Sequence, residues 1–345
     1  ITGTEKLSDW STSRFKRVQE LLKLEPKLIL ATGTNTGEMI ERYGSRMMSG
    51  RFMIDKGQAP GNSKNTTPVV NIKPEIADLL LKAKKTSIAQ QIRKPQSFAL
   101  AAKLSADMGV TQEKFADPNV LGFLEGSDLK DEIIVVSGHY DHDGINEKGV
   151  IFPGADDNGS GTVGVMELAN AFVQANKDGH GPRRSILFIA LAAEEKGLLG
   201  SQFYVENPIF PLAATVANLN LDMIGRIDDK HLNGDHNYIH VIGVNKLSSD
   251  LKPIVEKANK GIDLKLDYDY DDPNEPMRLY YRSDHYNFAK NGIPALFFFS
   301  GLHPHYHTPE DTVDKIDFPI MVKREKVIFK TVWDIANRTN KLVVD

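Results

Sequence analysis

The chain contains no cysteine in its 345 residues. Without cysteine there are no disulfide bonds, no thiolate nucleophile and no metal site with a thiolate ligand. The chain also lacks an apolar run long enough to cross a membrane. The longest candidate, SILFIALAA at residues 185–193, has the length of a buried strand. We therefore expect no membrane span.

An excess of basic residues is missing as well. Lysine and arginine together number 42 and aspartate and glutamate 46, so the formal net charge is −4. Such a chain offers no general basic surface for nucleic acid or anionic lipid, and we expect no nucleic-acid partner. The hydrophobic fraction of 41% is typical of a soluble protein with a buried core, and the length suggests about two domains. The composition favours no particular oligomeric state.

The sequence starts at Ile1, without an initiator methionine, and shows no signal peptide. A chain of this kind is typical of a protein that has been processed or trimmed. We expect a secreted, periplasmic or cell-surface location.

Two regions differ in pattern, and we predict a domain boundary between residues 95 and 96. In residues 1–95, an amphipathic helix (TSRFKRVQELLKLE), two short strands (KLILAT and PVVNI) and a second helix (PEIADLLLKAKK) surround a turn-rich loop at residues 55–68. In residues 96–345, apolar strands alternate with helices, which is typical of an α/β domain with a largely parallel or mixed sheet.

Ionisable residues follow the apolar strands of the second region. In open α/β sheets, ligands bind beyond the carboxyl ends of the strands, so we expect these side chains to meet at one edge. They are His139 and Asp141 after IIVVSG, Glu194 and Glu195 after ILFIALAA, Asp222 after ANLNL, and the histidines of HPHYH after PALFFFSG.

The stretch PGADDNGSG, residues 153–161, adds two aspartates just before a predicted helix. Alone it is typical of a solvated turn, because Asp, Asn and Gly favour turns for local reasons. Together with the residues at the strand ends it forms a donor set that suits zinc, manganese or cobalt. The set holds more carboxylates than one metal needs, which favours two ions about 3.5–4 Å apart with a bridging carboxylate.

Six blocks of the second region carry a family resemblance: SGHYDH, PGADDNGSG, AAEEKGLLGS, NLDMIG, YRSDHYNF and YHTPEDT. In order and approximate spacing they resemble the zinc-dependent aminopeptidases of metallopeptidase family 28. The resemblance implies a zinc-exopeptidase fold of the phosphorylase/hydrolase-like type, a three-layer α/β/α sandwich with a mixed central sheet. WSTSRFKRVQELLK and TTPVVNIKPEIADLLL resemble part of a protease-associated domain, which implies a smaller N-terminal α/β domain that is truncated at its start.

The same resemblance implies two zinc ions per chain and five protein ligands. Asp156 would bridge the two ions. His139 and Asp222 would complete one half-site, and Glu195 and His307 would complete the other. We therefore expect two Zn²⁺ as the cofactors of this chain.

Further roles are implied by the family. Glu194 would be the general base. Asp141 would be the carboxylate that orients His139, a common arrangement for a metal-bound imidazole. Tyr280 would help to polarise the substrate carbonyl. Asp157 would be joined to the bridging aspartate by a cis peptide bond and would bind no metal.

Some residue-level alternatives stay open. His303 or His305 could replace His307 as the ligand from HPHYH, and Tyr281 could replace Tyr280. The adjacent Ser, Asp and His at residues 283–285 are poor evidence for a hydrolytic triad, whose members come from separate segments. We expect this segment to support the metal ligands and to lie at the rim of the site.

The function implied is that of a di-zinc aminopeptidase acting on peptides with a free amino terminus. Glu194 would pass a proton from the attacking water to the leaving amine. One alternative is a carboxypeptidase or dipeptidase, for which Arg282 is the candidate carboxylate-binding residue. A glutaminyl cyclase shares the fold but binds one zinc and usually lacks the full GADDN block. A binding protein with an inactive site would lack ligands that are present here.

Overall fold

The computed structural model describes residues 14–41, 51–56, 67–105 and 113–345. The chain divides into two compact units, Ile1–Lys114 and Phe115–Asp345. The predicted boundary at residues 95 and 96 lies within the first unit. It precedes a segment, residues 96–105, that contains no helix or strand.

Within its described residues, the N-terminal unit carries the helices and strands that its sequence predicts, together with further short helical segments, one of which begins at residue 36. They include the helices α1 (Arg14–Leu22), α2 (Pro74–Leu81) and α3 (Ile88–Arg93) and the strands β1 (Ile29–Ala31) and β2 (Val69–Asn71). The two strands pair in parallel. Pro74 begins α2, where its missing N–H is tolerated. Most of the predicted loop at residues 55–68 lies outside the described residues, and the likeness to a protease-associated domain stays a prediction.

The C-terminal unit is built on a seven-stranded mixed sheet. The strands of the whole C-terminal unit are β3 (Val120–Leu124), β4 (Leu129–His139), β5 (Gly144–Ile145), β6 (Ile151–Phe152), β7 (Arg184–Leu191), β8 (Thr215–Leu221), β9 (Tyr238–Ile242), β10 (Lys265–Asp267) and β11 (Ala295–Phe299). The order in the sheet is β10-β9-β11-β8-β4-β7-β3, and β5 and β6 form a separate hairpin. β4, β7, β8 and β11 run in parallel, whereas β3 and β9 run antiparallel to their neighbours β7 and β11.

Helices cover both faces of this sheet. They are α4 (Gly161–Lys177), α5 (Leu199–Glu206), α6 (Leu251–Ala258), α7 (His285–Ala289) and α8 (Phe318–Asn337). In β4, Ile134 and Val136 pack in one core with α4, α6 and α8, whereas Ile133 and Val135 pack in another with α5 and α7. This alternation follows from the two-residue period of a strand. The three-layer α/β/α fold with a mixed sheet is confirmed.

The strand directions place the carboxyl ends of β4, β7, β8 and β11 at one edge of the sheet. The ionisable residues that the sequence places after these strands therefore share that edge. No helix in the described part of the chain combines the length and the apolar character that a membrane crossing requires.

Candidate metal centre

Three side chains at this edge form a first group of metal-ligand type. His139 ends β4, Asp222 follows β8, and Asp157 comes from the turn before α4. His139 Nε2 lies 3.4 Å from Asp157 Oδ1 and 3.6 Å from Asp222 Oδ1. All three side chains are buried. One imidazole and two carboxylates therefore converge within ligand distance of a common point.

The second group shares the Asp157 carboxylate. His307 Nε2 lies 3.2 Å from Asp157 Oδ2 and 3.3 Å from Glu195 Oε1. His142 Nδ1 lies 3.2 Å from the same Glu195 oxygen and 3.9 Å from Asp157 Oδ2. Asp157 thus directs Oδ1 toward His139 and Oδ2 toward the other two histidines. A carboxylate that faces two donor sets with separate oxygens is what a two-metal site requires of its bridge.

The spacing of these donors fits zinc. Two ligands bound at about 2.1 Å to a tetrahedral zinc ion are about 3.4 Å apart. The nitrogen–oxygen pairs around Asp157 and Glu195 are separated by 3.2 to 3.4 Å, except that His142 Nδ1 lies 3.9 Å from Asp157 Oδ2. The pair of His139 and Asp222 is separated by 3.6 Å. Within the described residues, His307 Nε2 and Glu195 Oε1 have no hydrogen-bond partner although both atoms are buried. Buried polar atoms of this kind indicate an ion or a water, and the donors are of the types that zinc binds.

The structure corrects the assignment of the two adjacent aspartates. Asp157, predicted to bind no metal, supplies the carboxylate that faces both groups, whereas Asp156, predicted as the bridge, belongs to neither. Asp156 Oδ1 instead accepts hydrogen bonds from Ser160 Oγ and Gly225 N–H, at 2.8 and 2.7 Å. The cis peptide bond joins Asp157 to Asn158 rather than Asp156 to Asp157. The prediction was wrong by one residue, because adjacent aspartates do not reveal which side chain points into the site.

The turn that carries Asp157 is held by a glycine and an asparagine. Gly154 has a φ of +62°, and a Cβ there would lie 2.3 Å from the Asp157 carbonyl oxygen, so glycine is required. Asn158 ties the turn to the end of β8: its Oδ1 accepts from Met223 N–H and its Nδ2 donates to Leu221 O. These contacts fix the direction in which the Asp157 side chain leaves the turn.

Asp141 contacts both groups, through its main chain and through its carboxylate. Its carboxylate oxygens accept hydrogen bonds from the backbone N–H groups of Glu194 and Glu195, at 2.9 and 3.2 Å. Its carbonyl oxygen lies 3.0 Å from His139 Nδ1, whereas its carboxylate is 3.6 Å from that nitrogen. The main chain of Asp141 therefore orients the imidazole and leaves Nε2 free for a metal, a usual outer-shell arrangement. The carboxylate positions the two glutamates.

Glu194 lies beside the groups without belonging to either. Burial holds the pKa of its carboxyl well above the usual range; His139 acts against this shift, and the carboxylates of Asp284 and Asp222 add to it. A carboxyl whose pKa is shifted toward neutrality is suited to accept a proton and return it. This environment supports the predicted role of Glu194 as a general base.

Two residues next to the predicted set were missed. Asp143 Oδ2 lies 2.8 Å from His307 Nδ1, so it orients the second histidine as the Asp141 main chain orients His139. His142 lies between Glu195 and His307, with its ring centroid 5.3 Å from that of His307. Both residues continue the alternation of histidine and aspartate in SGHYDHDG, which was the available signal.

The YRSDHYNF block contains the buried residues Ser283, Asp284 and His285, whereas its first residue, Tyr281, is exposed. Its predicted place at the rim of the site stays a prediction. Ser283 Oγ donates to Asp222 Oδ2 at 2.6 Å and accepts from Asn220 Nδ2 at 2.8 Å. The hydroxyl of Ser283 is therefore occupied by its hydrogen bond to Asp222, and Ser283 is no candidate nucleophile. Asp284 and His285 are fully buried. Burial raises the pKa of Asp284 to about 7 and lowers the pKa of His285 to about 3.

Among the described residues, the aromatic contacts of the Tyr280 ring involve no member of the two groups. Its ring packs against three aromatic side chains, those of Tyr281, Tyr286 and His285. Its role at a substrate carbonyl stays a prediction. Tyr306, which the sequence did not single out, packs against His307 with ring centroids 4.1 Å apart. Burial, together with the Asp157 carboxylate, raises the pKa of Tyr306.

The three histidines of HPHYH have different partners. His307 faces Asp157 and Glu195, as described above. His303 Nε2 lies 3.3 Å from Asp156 Oδ2. His305 Nδ1 accepts from Arg226 Nη2 at 2.9 Å. The structure therefore places the predicted histidine, and neither alternative, at the shared carboxylate.

The electrostatics of the centre favour a cation. Burial favours the neutral imidazole of His139, but Asp222 and the neighbouring carboxylates raise its pKa well above the usual value. For His307, Asp143 and Asp157 overcome burial in the same way and raise the pKa to about 10. The pKa of Asp157 is lowered despite burial, because both histidines contact its carboxylate. An environment that stabilises positive charge to this extent suits a divalent ion.

Sequence comparisons place these residues in a known context. A model described as "Peptidase family M28" matches residues 119–332, which include every member of both groups. Aminopeptidase YwaD of Bacillus subtilis (strain 168) is 28% identical over 282 residues, covering 79% of this chain and 52% of that protein. A probable leucine aminopeptidase of Arthroderma benhamiae is 31% identical over 241 residues, covering 68% of this chain and 62% of that protein. The chain thus spans between half and two thirds of the length of these relatives.

A solved structure agrees with the fold. The zinc aminopeptidase BSAP from Bacillus subtilis aligns with a TM-score of 0.51 at 27% identity, covering 65% of this chain and 51% of that chain. The mixed-sheet α/β architecture predicted from the alternating strands and helices is the one that this aminopeptidase has.

Proposed function

Because the chain belongs to peptidase family M28, we propose that it is a zinc aminopeptidase with two zinc ions bridged by Asp157. The observation that carries the proposal is the placement of the Asp157 carboxylate, whose two oxygens face separate sets of donors. The relatives are named aminopeptidases and the similar solved structure is a zinc aminopeptidase, which supports the activity and the metal.

Each half-site combines one imidazole with carboxylates. His139 and Asp222 would hold one ion together with Asp157, and Glu195 and His307 would hold the other. When bound, zinc lowers the pKa of water toward neutrality and polarises a carbonyl group. The surrounding residues hold these ligands: Ser283 donates to Asp222, and Asp143 accepts from His307 Nδ1.

Proton transfer falls to Glu194. Its backbone is fixed by the Asp141 carboxylate, and burial raises the pKa of its side chain. It would accept the proton of the attacking water and then deliver it to the leaving amine. A raised pKa makes the carboxylate a stronger proton acceptor than that of an exposed glutamate.

The substrate would be a peptide with a free amino terminus. The centre concentrates the carboxylates of Asp157, Glu195 and Asp222, with Glu194 adjacent. A protonated or metal-bound α-amino group is attracted to such an environment, whereas a blocked amide is not. The two ions would offset the charge of these carboxylates, so the choice of aminopeptidase over carboxypeptidase rests on the relatives, which are named aminopeptidases.

The decisive experiment combines metal content with a matched pair of substrates. We expect two zinc ions per chain by mass spectrometry, and cleavage of an aminoacyl peptide but not of the same peptide with an acetylated amino terminus. Equal cleavage of both peptides, or fewer than two ions per chain, would contradict the proposal. Cyclisation of an N-terminal glutamine with one zinc would favour the cyclase, and release of the C-terminal residue would favour the carboxypeptidase.

A further inference from the structure

A buried polar cluster lies directly behind the metal centre. It consists of Asp156, Arg226, His303 and Asp311, each with a relative exposure of 9% or less. His303 Nε2 lies 3.3 Å from Asp156 Oδ2 and 3.9 Å from Asp311 Oδ1. Arg226 Nη1 lies 3.5 Å from the same Asp311 oxygen. None of these four residues belongs to the two metal-ligand groups.

Asp311 connects this cluster to the bridging aspartate through the main chain. Asp311 Oδ2 accepts hydrogen bonds from the N–H groups of Asp156 and Asp157, at 3.0 and 3.1 Å. The carbonyl oxygen of Asp311 accepts from Ala155 N–H at 3.2 Å. One residue therefore holds three consecutive amides of the turn, and a shift of the Asp157 backbone would break these bonds.

The remaining polar atoms of the cluster face one another. Asp156 Oδ2, Asp311 Oδ1, His303 Nε2 and Arg226 Nη1 are buried and have no hydrogen-bond partner among the described residues. His303 Nδ1 accepts from His305 N–H, so Nε2 of a neutral ring carries the proton. The guanidinium also donates. Two donors and two acceptors around one point are the partners that a buried water with four hydrogen bonds needs.

We propose that Asp311 is a positioning residue for the metal-bridging carboxylate, held in place by Asp156, Arg226, His303 and one buried water. This role rests on the proposed two-zinc function. The cluster also reaches the loop of the second half-site, because Arg226 Nη2 donates to His305 Nδ1, two residues before the predicted ligand. It thereby sets the position of Asp157 relative to both half-sites.

Two substitutions of Asp311 test the role. Asp311→Ala removes the acceptor for the Asp156 and Asp157 amides. Asp311→Asn keeps one oxygen for these amides but turns an N–H₂ group toward the donors of Arg226 and His303. Because Asp157 faces both half-sites, we expect Asp311→Ala to weaken both zinc ions together by about 10–100-fold, the usual cost of an outer-shell change. For Asp311→Asn we expect a smaller loss, of about 3–10-fold, at both ions.

The measurements are zinc affinity by chelator competition, and kcat and KM at saturating zinc. We expect kcat to fall while KM changes little, because the substrate does not contact Asp311. A matched control is Asp228→Asn, which removes another buried carboxylate of the same unit, one that faces His231 and His240. This control should lower thermal stability and leave zinc affinity and kcat unchanged.

Several outcomes would overturn the role. If Asp311→Ala does not fold, Asp311→Asn decides the question. Asp311 variants that bind both ions with wild-type affinity and keep kcat contradict the positioning role, and so does weakening at one half-site only. Wild-type protein that binds fewer than two zinc ions would instead contradict the proposed function, so the two failures are distinguishable.

Discussion

Two buried clusters of the C-terminal unit share a composition and differ in geometry. Both bring aspartate and histidine ligand atoms within 4.8 Å of one another. In the metal centre, the histidine nitrogens lie 3.2 to 3.9 Å from the carboxylate oxygens of Asp157 and Glu195, and several of these buried atoms lack a hydrogen-bond partner among the described residues. In the second cluster, Asp228 Oδ1 lies 2.7 Å from His231 Nδ1, and Asp228 Oδ2 lies 2.9 Å from His240 Nε2. His240 Nδ1 in turn faces Asp267 Oδ1 at 3.2 Å.

The two carboxylate oxygens of Asp228 lie at hydrogen-bond distance from histidine nitrogens, whereas those of Asp157 lie at the distance expected between two ligands of one ion. A nitrogen and an oxygen 2.7 to 2.9 Å apart share a charge-assisted hydrogen bond. The Asp228 cluster is accordingly part of the scaffold: Asp228 N–H donates to Tyr238 Oη, which donates to the Ser300 carbonyl. It joins the loop after β8 to β9 and to the end of β11. His240 Nδ1, at 3.2 Å from Asp267, also lacks a hydrogen-bond partner among the described residues, so the contrast rests on the two short contacts of Asp228. The composition of a buried cluster does not identify its role.

The largest expected effect comes from the two adjacent aspartates. Asp157→Asn removes charge from both half-sites, and we expect loss of both zinc ions and a fall in turnover beyond the about 10⁴-fold that one acid–base group contributes. Asp156→Asn should cost about 10–100-fold, as an outer-shell change does. Metal content and kcat of the two variants check this. A larger loss in the Asp156 variant would restore the original assignment of the bridge.

The next effect separates proton transfer from metal binding. Glu194→Gln keeps the shape of the side chain but cannot accept a proton. We expect two zinc ions to remain bound while kcat falls by about 10²–10⁴-fold. Metal analysis and steady-state kinetics measure both quantities. Near-normal turnover in this variant would remove Glu194 from the mechanism, and loss of zinc would make it a ligand instead.

The third effect tests whether the Asp228 cluster is independent of the metal. Asp228→Asn breaks a buried charged network, which typically costs about 3–5 kcal/mol of folding free energy. For a unit of this size that corresponds to a Tm lower by roughly 6–20 °C. The decrease should be equal with and without zinc. A variant that also loses the Tm increase on zinc addition would show that the two clusters are coupled.

The smallest effect is a pH dependence from His240. Burial opposes its charge, but Asp228 and Asp267 raise its pKa, and the rings of Tyr238, Tyr270 and His231 complete its surroundings. Because folding raises this pKa, protonation of His240 stabilises the fold. The stabilisation is fully present below the unfolded-state pKa of about 6.5 and is lost as pH rises through the folded-state pKa.

Zinc-free protein should therefore lose up to about 1.4 kcal/mol per pH unit from this group above pH 6.5. Urea unfolding between pH 6 and 9 should show a flatter profile for His240→Gln than for the wild type. His139 and His307 contribute to both profiles, so the difference between them isolates His240. Parallel profiles would show that folding does not raise the pKa of His240.

Much of the site was predictable because strand ends are visible in a sequence. The apolar runs before His139, Glu194 and Asp222 mark strands that end at or shortly before these residues, and the parallel strands put them at one edge. His307 was selected from HPHYH by the family pattern alone. The run from Ile133 to Val136 is continuously apolar, as expected of a strand that buries both of its faces, and the structure packs its residues alternately into two cores.

By itself, the sequence determined the order of strands and helices, the α/β class, and the set of oxygen and imidazole donors that follows the strands. Only the tertiary structure decided which donor faces which. It directs the side chain of Asp157, and not that of Asp156, toward both donor groups. It also places His142 and Asp143 beside His307 and includes Asp228 in a network of hydrogen bonds. The reason is physical: the length of an apolar run sets where a strand ends. The direction of a side chain depends on contacts with segments remote in the chain, such as that of Asp311 with the Asp157 amide.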